Sequence, residues 1–140
     1  MKLKEIMAQN VETVGPDATL QETAEKMKRR NIGALPVVEG KKPIGVITDR
    51  DIALRAVAAG ADVTKTKVRE VMTREPHFAY EDQTINEACQ LMENNKIRRL
   101  IVLNREGGLA GVVSLNDVTV KGKETRRSAQ VIRKIAAAAA

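Results

Sequence analysis

The chain has 140 residues, 43% of them apolar, and a formal net charge of +6 at pH 7. This length and apolar share are typical of one globular core, and no apolar run resembles a signal peptide or reaches the roughly 18–20 residues that span a bilayer. The single cysteine, Cys89, excludes an intrachain disulfide and favours a reducing, cytoplasmic setting.

The basic charge is concentrated near the C-terminus. Residues 121–134 hold six basic residues against Glu124 alone, whereas the rest of the chain carries 18 basic and 17 acidic groups. We expect the basic tail, residues 123–140, to be helical, and nucleic-acid binding through it is one alternative function. One Tyr and one Phe disfavour that alternative, because single-stranded bases usually stack on aromatic rings.

The chain contains an internal repeat. A shift of 65 residues, rising to 66 after one extra loop residue, aligns Met7 with Met72, Thr19 with Thr84, Met27 with Met92 and Asp51 with Asp117. We assign repeat 1 to residues 3–59, a polar connector to 60–67 and repeat 2 to 68–122. Because about 55 residues form a marginal core alone, we expect the repeats to pack into one globule around an approximate twofold axis.

Each repeat predicts the same elements in chain order. An extended piece, "VETV" or "HFAY", precedes a helix that begins with a capping box, Thr19 or Thr84 followed three residues later by Glu22 or Glu87. One apolar stripe of each helix is expected to face the core. The two stripes are Leu20, Ala24 and Met27, and Ile85, Cys89 and Met92. Two β-branched runs around a turn then predict an antiparallel hairpin, and a second helix follows. The predicted fold class is α+β, with two β-α-β-β-α repeats.

Two similar heptads, "GVITDRD" at 45–51 and "GVVSLND" at 111–117, stand where the hairpin of each repeat leads into its second helix. A Thr or Ser followed three residues later by Asp can cap a helix without any ligand. The same groups also suit a ribonucleotide, because an ionised carboxylate accepts hydroxyl groups and a hydroxyl with free N–H groups suits a phosphate. Both interpretations stay open at this point.

The chain resembles the tandem cystathionine-β-synthase (CBS) domain pair, or Bateman module, over residues 3 to about 122. The resemblance rests on the two heptads and on two further pairs of segments, "LKEIM" with "VREVM" and "IGALPVV" with "IRRLIVL". The resemblance implies a stand-alone regulatory protein that binds AMP, ADP, ATP or another adenosyl compound. It also implies a homodimer paired through helices. The second copy departs from the first at Ile101, Leu115 and Asn116, so the two clefts need not be equal.

The resemblance also implies which residues form the clefts. The adenine is expected between aliphatic side chains, the ribose on the heptad aspartate and the phosphates on basic residues before "LPVV". One cleft takes Val112, Ser114 and Asp117 with Ile32 and Gly33, and with Arg98 and Arg99 at the phosphates. The other takes Val46, Thr48 and Asp51 with Ile97. Arg98 and Arg99 can also be solvated cations near a helix end.

Catalytic and metal-binding functions are disfavoured by the sequence. The only histidine, His77, has no Ser or Cys motif beside it and no further ligands at metal-binding spacing. No P-loop, "GxSxG" or dinucleotide fingerprint occurs. We therefore expect no enzyme activity, no metal and no cofactor. The remaining alternative is a structural or protein-interaction module without a ligand.

Overall fold

The computed structural model describes residues 1–74 and 77–139, with side chains to residue 137. The chain divides into two compact units, which we name after the aspartates of the heptads. The Asp51 unit comprises Glu12–Pro76, and the Asp117 unit comprises Met1–Val11 with His77–Ala140. The chain therefore begins in one unit, builds the other, and returns to the first.

The Asp51 unit contains one three-stranded antiparallel sheet in the order β1-β2-β3. Its elements are α1 (Leu20–Arg30), β1 (Ala34–Glu39), β2 (Lys42–Thr48), α2 (Asp49–Ile52, continued by a π-helical turn Ala53–Val57), α3 (Val68–Val71) and β3 (Thr73–Arg74). The first and second strands form a hairpin with a bulge between Val37 and Val38. The hairpin predicted for repeat 1 is confirmed.

The Asp117 unit contains a sheet in the order β4-β5-β6, in which β4 is parallel to β5 and β5 is antiparallel to β6. Its elements are a 3-10 helix (Leu3–Glu5), β4 (Phe78–Tyr80), α4 (Ile85–Asn95), β5 (Arg99–Leu103), β6 (Leu109–Ser114), α5 (Leu115–Val120) and α6 (Thr125–Ala139). Within the predicted helical tail, residues 123–140, α6 begins at Thr125 and extends to Ala139, and Ala140 lies outside the described residues. Within the described ranges, no helix combines the length and apolar character needed to cross a membrane.

Both predicted capping boxes are present. The backbone N–H of Glu22 donates to Thr19 Oγ1 at 3.1 Å, and that of Glu87 donates to Thr84 Oγ1 at 3.2 Å. Each Glu side chain accepts in return from the backbone N–H of its Thr. Helices α1 and α4 thus begin at aligned positions, and both have 11 residues. The α+β class with two similar repeats is confirmed.

The extended piece "VETV" is shorter than predicted. Val14 forms a single parallel bridge with Val37, whereas the aligned "HFAY" contributes the three residues of β4. Beyond β4, Glu81 donates its backbone N–H to the carbonyl of Leu103. The aligned residue in repeat 1 is Pro16, which has no N–H, so the pairing cannot continue there.

The segment that begins each repeat packs into the unit of the other repeat. Val68, Val71 and Met72 lie in the core of the Asp51 unit, and Leu3, Ile6 and Met7 lie in the core of the Asp117 unit. The glycine of each heptad faces this segment at close range. A Cβ on Gly111 would lie 2.4 Å from the carbonyl oxygen of Ala8, and one on Gly45 would lie 2.7 Å from that of Thr73. These contacts explain why a glycine begins both heptads.

The predicted core stripe is confirmed in α4 and wrong at one position of α1. Leu20 and Met27 are buried, but Ala24 is exposed, and Thr23 is buried instead. Thr23 satisfies its hydroxyl by donating to the carbonyl of Thr19 at 2.9 Å. The aligned Cys89 in α4 is fully buried, because α6 packs against α4. The difference at Ala24 therefore reflects a helix that covers one repeat and not the other.

Candidate ligand-binding site

The second heptad forms a closed hydrogen-bonded cap at the start of α5. Ser114 Oγ accepts from the backbone N–H of Asp117 at 3.1 Å, while Asp117 Oδ2 accepts from the backbone N–H of Ser114 at 2.9 Å. The Ser114 hydroxyl also donates to Asp117 Oδ2 at 3.0 Å. The heptad therefore does cap the helix. The cap uses only one of the two carboxylate oxygens of Asp117, Oδ2.

The first heptad repeats the arrangement at the start of α2. Thr48 Oγ1 accepts from the backbone N–H of Asp51 at 3.1 Å, and Asp51 Oδ2 accepts from the backbone N–H of Thr48 at 2.9 Å. The same chemistry thus stands at aligned positions in both units. Each Thr or Ser ends a strand that carries a half-buried valine, Val46 or Val112, two residues earlier.

The second carboxylate oxygen of each aspartate takes no part in the cap. Asp117 Oδ1 lies 3.6 Å from Lys121 Nζ, and Asp51 Oδ1 lies 3.7 Å from Arg55 Nη1. The side chains of Asp117 and Asp51 are 15% and 12% exposed to solvent, respectively. An ionised carboxylate oxygen has two acceptor positions. Oδ1 of each aspartate therefore retains capacity for a hydroxyl group, beside a cation one helical turn away.

The structure brings Arg98 and Arg99 to the Ser114 cap. The carbonyl of Arg98 accepts from the backbone N–H of Leu115 at 2.9 Å, and Arg99 pairs with Ser114 in the β5–β6 ladder. Both arginines are exposed and follow the half-buried Ile97. Helix α4 ends at Asn95, so neither arginine belongs to its last turn. Their alternative interpretation as solvated cations near the end of this helix therefore stays open.

The Asp51 unit has the same backbone arrangement without the arginines. The carbonyl of Gly33 accepts from the backbone N–H of Asp49 at 2.9 Å, and Ala34 pairs with Thr48. A Cβ on Gly33 would lie 2.9 Å from Oδ2 of the exposed Asp49, so a side chain at this position would require the Asp49 side chain to move aside. Gly33 and the preceding Ile32 therefore adjoin the Asp51 cap within their own unit. Their predicted pairing with Asp117, and that of Ile97 with Asp51, stays a prediction.

A buried carboxylate that the sequence analysis missed holds the basic tail. Glu93 on α4 is 4% exposed and binds two cations of α6, Arg127 and Lys134, the latter at 3.2 Å. Hydrogen bonding from Arg127, followed by that from Lys134, lowers the pKa of Glu93, while burial opposes this shift. A lone glutamate on a helix gives no sequence signal for a partner more than 30 residues away.

This ion-pair cluster changes the interpretation of the basic tail. Arg127 and Lys134 are engaged with Glu93, and Lys121 faces Asp117. Half of the six cations that made the tail a candidate phosphate-binding segment thus have carboxylate partners inside the same unit. The nucleic-acid alternative is weakened accordingly.

A surface groove of about 430 Å³ opens on the Asp51 unit, away from the predicted site residues. Its walls carry both charge signs, with Glu22, Glu25, Lys26 and Arg29 on α1. Lys26 Nζ already donates to the carbonyl of Thr13 at 2.7 Å. Because the groove carries both charge signs, its charge does not indicate a particular class of ligand. Among the described residues, no cluster of His, Cys, Asp and Glu has the arrangement of a metal site.

The model of the CBS domain family matches this chain twice, over residues 3–57 and 68–122. Among similar proteins, the CBS domain-containing protein YhcV of Bacillus subtilis is 43% identical over 118 residues, which cover 84% of this chain and 83% of YhcV. The inosine-5'-monophosphate dehydrogenase of Methanocaldococcus jannaschii is 38% identical over 123 residues. That match covers 87% of this chain but only 24% of the enzyme.

Solved structures agree with the family match. The CBS domain pair of protein MJ0100, crystallised with 5'-methylthioadenosine and S-adenosyl-L-methionine, superposes with a TM-score of 0.76 at 28% identity. The superposition covers 89% of this chain and 98% of that domain pair. The heptads, hairpins and capped helices described above lie within the two matched segments.

Proposed function

Because the chain belongs to the CBS domain family and carries two copies of the domain, we propose that it is a regulatory protein that binds an adenosine-containing ligand. The ligand is AMP, ADP, ATP or another adenosyl compound such as S-adenosylmethionine. The proposal assigns no catalytic step to the protein, and it places the protein in the cytoplasm.

The observation that carries this proposal is the oxygen of the heptad aspartate that takes no part in the helix cap. Asp117 Oδ2 is committed to the helix cap, whereas Oδ1 accepts no hydrogen bond from the described residues and lies 3.6 Å from Lys121 Nζ, in a side chain that is 15% exposed. A ribose hydroxyl that donates to Oδ1 leaves the cap intact. We therefore assign both roles to Asp117, a cap through one oxygen and a ribose contact through the other.

The similarity to MJ0100 supports an adenosyl ligand in particular. That domain pair was crystallised with two compounds that share adenosine and differ in charge and length. Half-buried aliphatic side chains beside the two caps, Val112 and Ile97 in one unit and Val46 and Ile32 in the other, suit the faces of an adenine. The adenosine part is thus the common element that we propose for recognition here.

The arginine pair supports a phosphate next to the Asp117 cap. Arg98 and Arg99 are exposed beside Ser114, and a guanidinium matches the geometry of phosphate oxygens. Gly33 and Ala34 at the aligned positions offer no charge. We propose that the Asp117 site is the dominant one for a nucleotide, and that the Asp51 site is weaker or selects a less charged ligand.

We also propose a homodimer. Leu54 in the π-helical turn and Val120 in α5 occupy aligned positions and are 55% and 65% exposed. Two exposed aliphatic residues at aligned places on short helices suit a helix-to-helix contact between two copies. Regulation requires that the ligand bind one arrangement of the protein better than another, since only this difference can shift the equilibrium.

The test is calorimetric titration of nucleotide-free protein with AMP and S-adenosylmethionine, beside the Asp117→Asn variant. We expect micromolar to millimolar affinity without turnover for the wild type. Asn keeps the shape and one capping oxygen but loses the charge, so affinity should fall about tenfold, or about 1.4 kcal/mol, with a melting temperature within about 2 °C of wild type.

The opposite pattern would assign the aspartate to the cap alone. In that case Asp117→Asn lowers the free energy of unfolding by about 1 kcal/mol and leaves the affinity unchanged. If folded, nucleotide-free protein gives no heat with any adenosyl compound, the chain is a structural or interaction module instead.

A further inference from the structure

The surface groove of the Asp51 unit lies at the end of the β1–β2 hairpin that is remote from the Thr48 cap. Val38 and Gly40 line the groove, whereas Thr48 pairs with Ala34 at the opposite end of β1. The strand between these two ends spans about 17 Å, at about 3.3 Å per residue. The groove is therefore separate from the ligand site proposed at Asp51. We call it the Gly15 groove, after a glycine in its wall.

Two residues in the wall of the Gly15 groove align with the two aromatic residues of the chain. Phe78 and Tyr80 are the one Phe and the one Tyr of the sequence, and both lie on β4. The shift of 65 residues aligns them with Thr13 and Gly15, which both line the groove. Residues without a ring thus stand in the Asp51 unit where the Asp117 unit has a half-buried Phe and Tyr.

The ring of Tyr80 is covered by a cation. The guanidinium of Arg105 lies 4.3 Å from the centroid of this ring, and Asp82 holds it through hydrogen bonds of 2.8 and 2.9 Å. The residue aligned with Arg105 is Gly40, which also lines the groove. Both members of the stacked pair therefore align with glycines of the groove wall.

The Gly15 groove has open space at both glycines. A Cβ added to Gly15 or to Gly40 would have no heavy atom within 4 Å. The volume of the groove is about 430 Å³. Small-molecule sites typically have volumes of about 300–1,000 Å³. The groove therefore has room for one ring with a polar head group.

Two charged side chains of α1 are available at the groove. Glu25 and Arg29 line it, are exposed, and have no ion-pair or hydrogen-bond partner among the side chains that the structure describes. By contrast, Lys26 donates to the carbonyl of Thr13 at 2.7 Å, and Glu22 belongs to the capping box of α1. Residues four apart lie on the same helix face. One carboxylate and one guanidinium are thus presented side by side.

We propose that the Gly15 groove binds a free aromatic α-amino acid. The ring lies beside Gly15 and Gly40, in the space that corresponds to the Tyr80 ring of the other unit. The α-ammonium group pairs with Glu25, and the α-carboxylate pairs with Arg29, because a guanidinium matches the geometry of a carboxylate. This inference does not depend on the proposed adenosine ligand, since it uses no residue of either cap.

The probe is L-phenylalanine, titrated into the full-length, nucleotide-free protein and followed by backbone amide chemical shifts. We expect saturable binding with a dissociation constant of about 1 mM or lower, as is usual for a ligand of this size. The shifts should map to residues 13–18, 25–29 and 38–40. L-leucine lacks the ring, phenylalanine amide lacks the carboxylate, and 3-phenylpropionate lacks the ammonium group. Each of the three should bind at least about fivefold more weakly.

Two pairs of variants test the ring site and the head-group site. Gly15→Tyr places the residue of the other repeat in the groove and should weaken binding at least about tenfold, whereas Gly15→Ala adds one methyl group in open space and should leave it within about twofold. Arg29→Gln should weaken phenylalanine at least about fivefold and leave phenylalanine amide unchanged. Its matched control, Arg126→Gln, removes an exposed cation of α6 and should change neither affinity.

Several results would overturn the proposal. They are the lack of saturable binding, shifts that map to residues 45–51 or 111–117, equal losses in Gly15→Ala and Gly15→Tyr, and equal effects of Arg29→Gln and Arg126→Gln. Leucine or phenylalanine amide binding as tightly as phenylalanine would also overturn it, because the groove would then recognise neither a ring nor a free carboxylate. A separate titration with AMP reports on the two caps, so failure of one proposal is distinguishable from failure of the other.

Discussion

Replacing Glu93 by glutamine tests how α6 is held. Breaking a buried ion pair by removing one partner costs about 3–5 kcal/mol, because the remaining charge is left buried. Three features reduce this cost. Glutamine keeps the side-chain volume and one hydrogen-bond acceptor. The Arg127 side chain is 18% exposed and keeps its hydrogen bond to Asn86, and the Lys134 side chain is 61% exposed and can be solvated by water. We therefore expect Glu93→Gln to lower the free energy of unfolding by about 3 kcal/mol, the lower end of that range.

The assay is thermal and urea unfolding at pH 7, with Glu12→Gln as the matched control. Glu12 also faces two cations, Arg30 at 3.1 Å and Lys26 at 4.0 Å, but keeps 35% of its exposure. Exposed ion pairs contribute about 1 kcal/mol or less. Equal losses in the two variants would refute the argument, because burial would then not distinguish the two clusters.

The pH dependence provides a second readout of the same perturbation. Hydrogen bonding from Arg127 lowers the pKa of Glu93 in the folded state. The stability that Glu93 adds is fully present above its unfolded pKa, about 4.3, and is lost as the pH falls through the lower folded pKa. The difference in stability between wild type and Glu93→Gln should shrink in acid. A constant difference down to pH 2 would contradict the assignment.

Two further predictions concern the repeats. In titrations with ATP, Asp117→Ala should lose more affinity than Asp51→Ala, since only the Asp117 cap has arginines, Arg98 and Arg99, at the positions that Gly33 and Ala34 occupy beside the Asp51 cap. Equal losses, or a larger loss in Asp51→Ala, would show that this arginine pair does not set the asymmetry. A fragment of residues 12–76 should show a cooperative unfolding transition by circular dichroism, whereas residues 3–59 should not, because they lack Val68, Val71 and Met72; similar transitions in both would contradict the exchanged packing.

Local signals in the sequence were sufficient for the repeated elements. Thr19 with Glu22 and Thr48 with Asp51 each lie within one helical turn, so a motif of four residues contains both partners of the bond. The hairpins follow from two β-branched runs around a turn for the same reason. The capped starts of α2 and α5, where the candidate ligand contacts stand, were therefore predictable.

Long-range partners were not predictable in this way. The burial of Glu93 depends on a helix that returns over α4 from more than 30 residues away, and the exposure of Ala24 depends on the lack of such a helix over α1. The alignment of Ala24 with Cys89 suggested equal burial, although their surroundings differ. A sequence repeat predicts similar backbone structure in both copies. It does not predict which helix faces of each copy are buried by other parts of the chain.

The exchange of the opening segments bears on how such a chain arises by duplication. A molecule with one repeat has a single "LKEIM"-like segment, and in the packing seen here that segment completes the core of another repeat. Two such molecules must therefore trade segments, so their folding depends on concentration. Joining two repeats in one chain replaces this encounter by an intramolecular one, at an effective concentration set by the linker. After duplication, the rate of this folding step therefore no longer depends on the protein concentration.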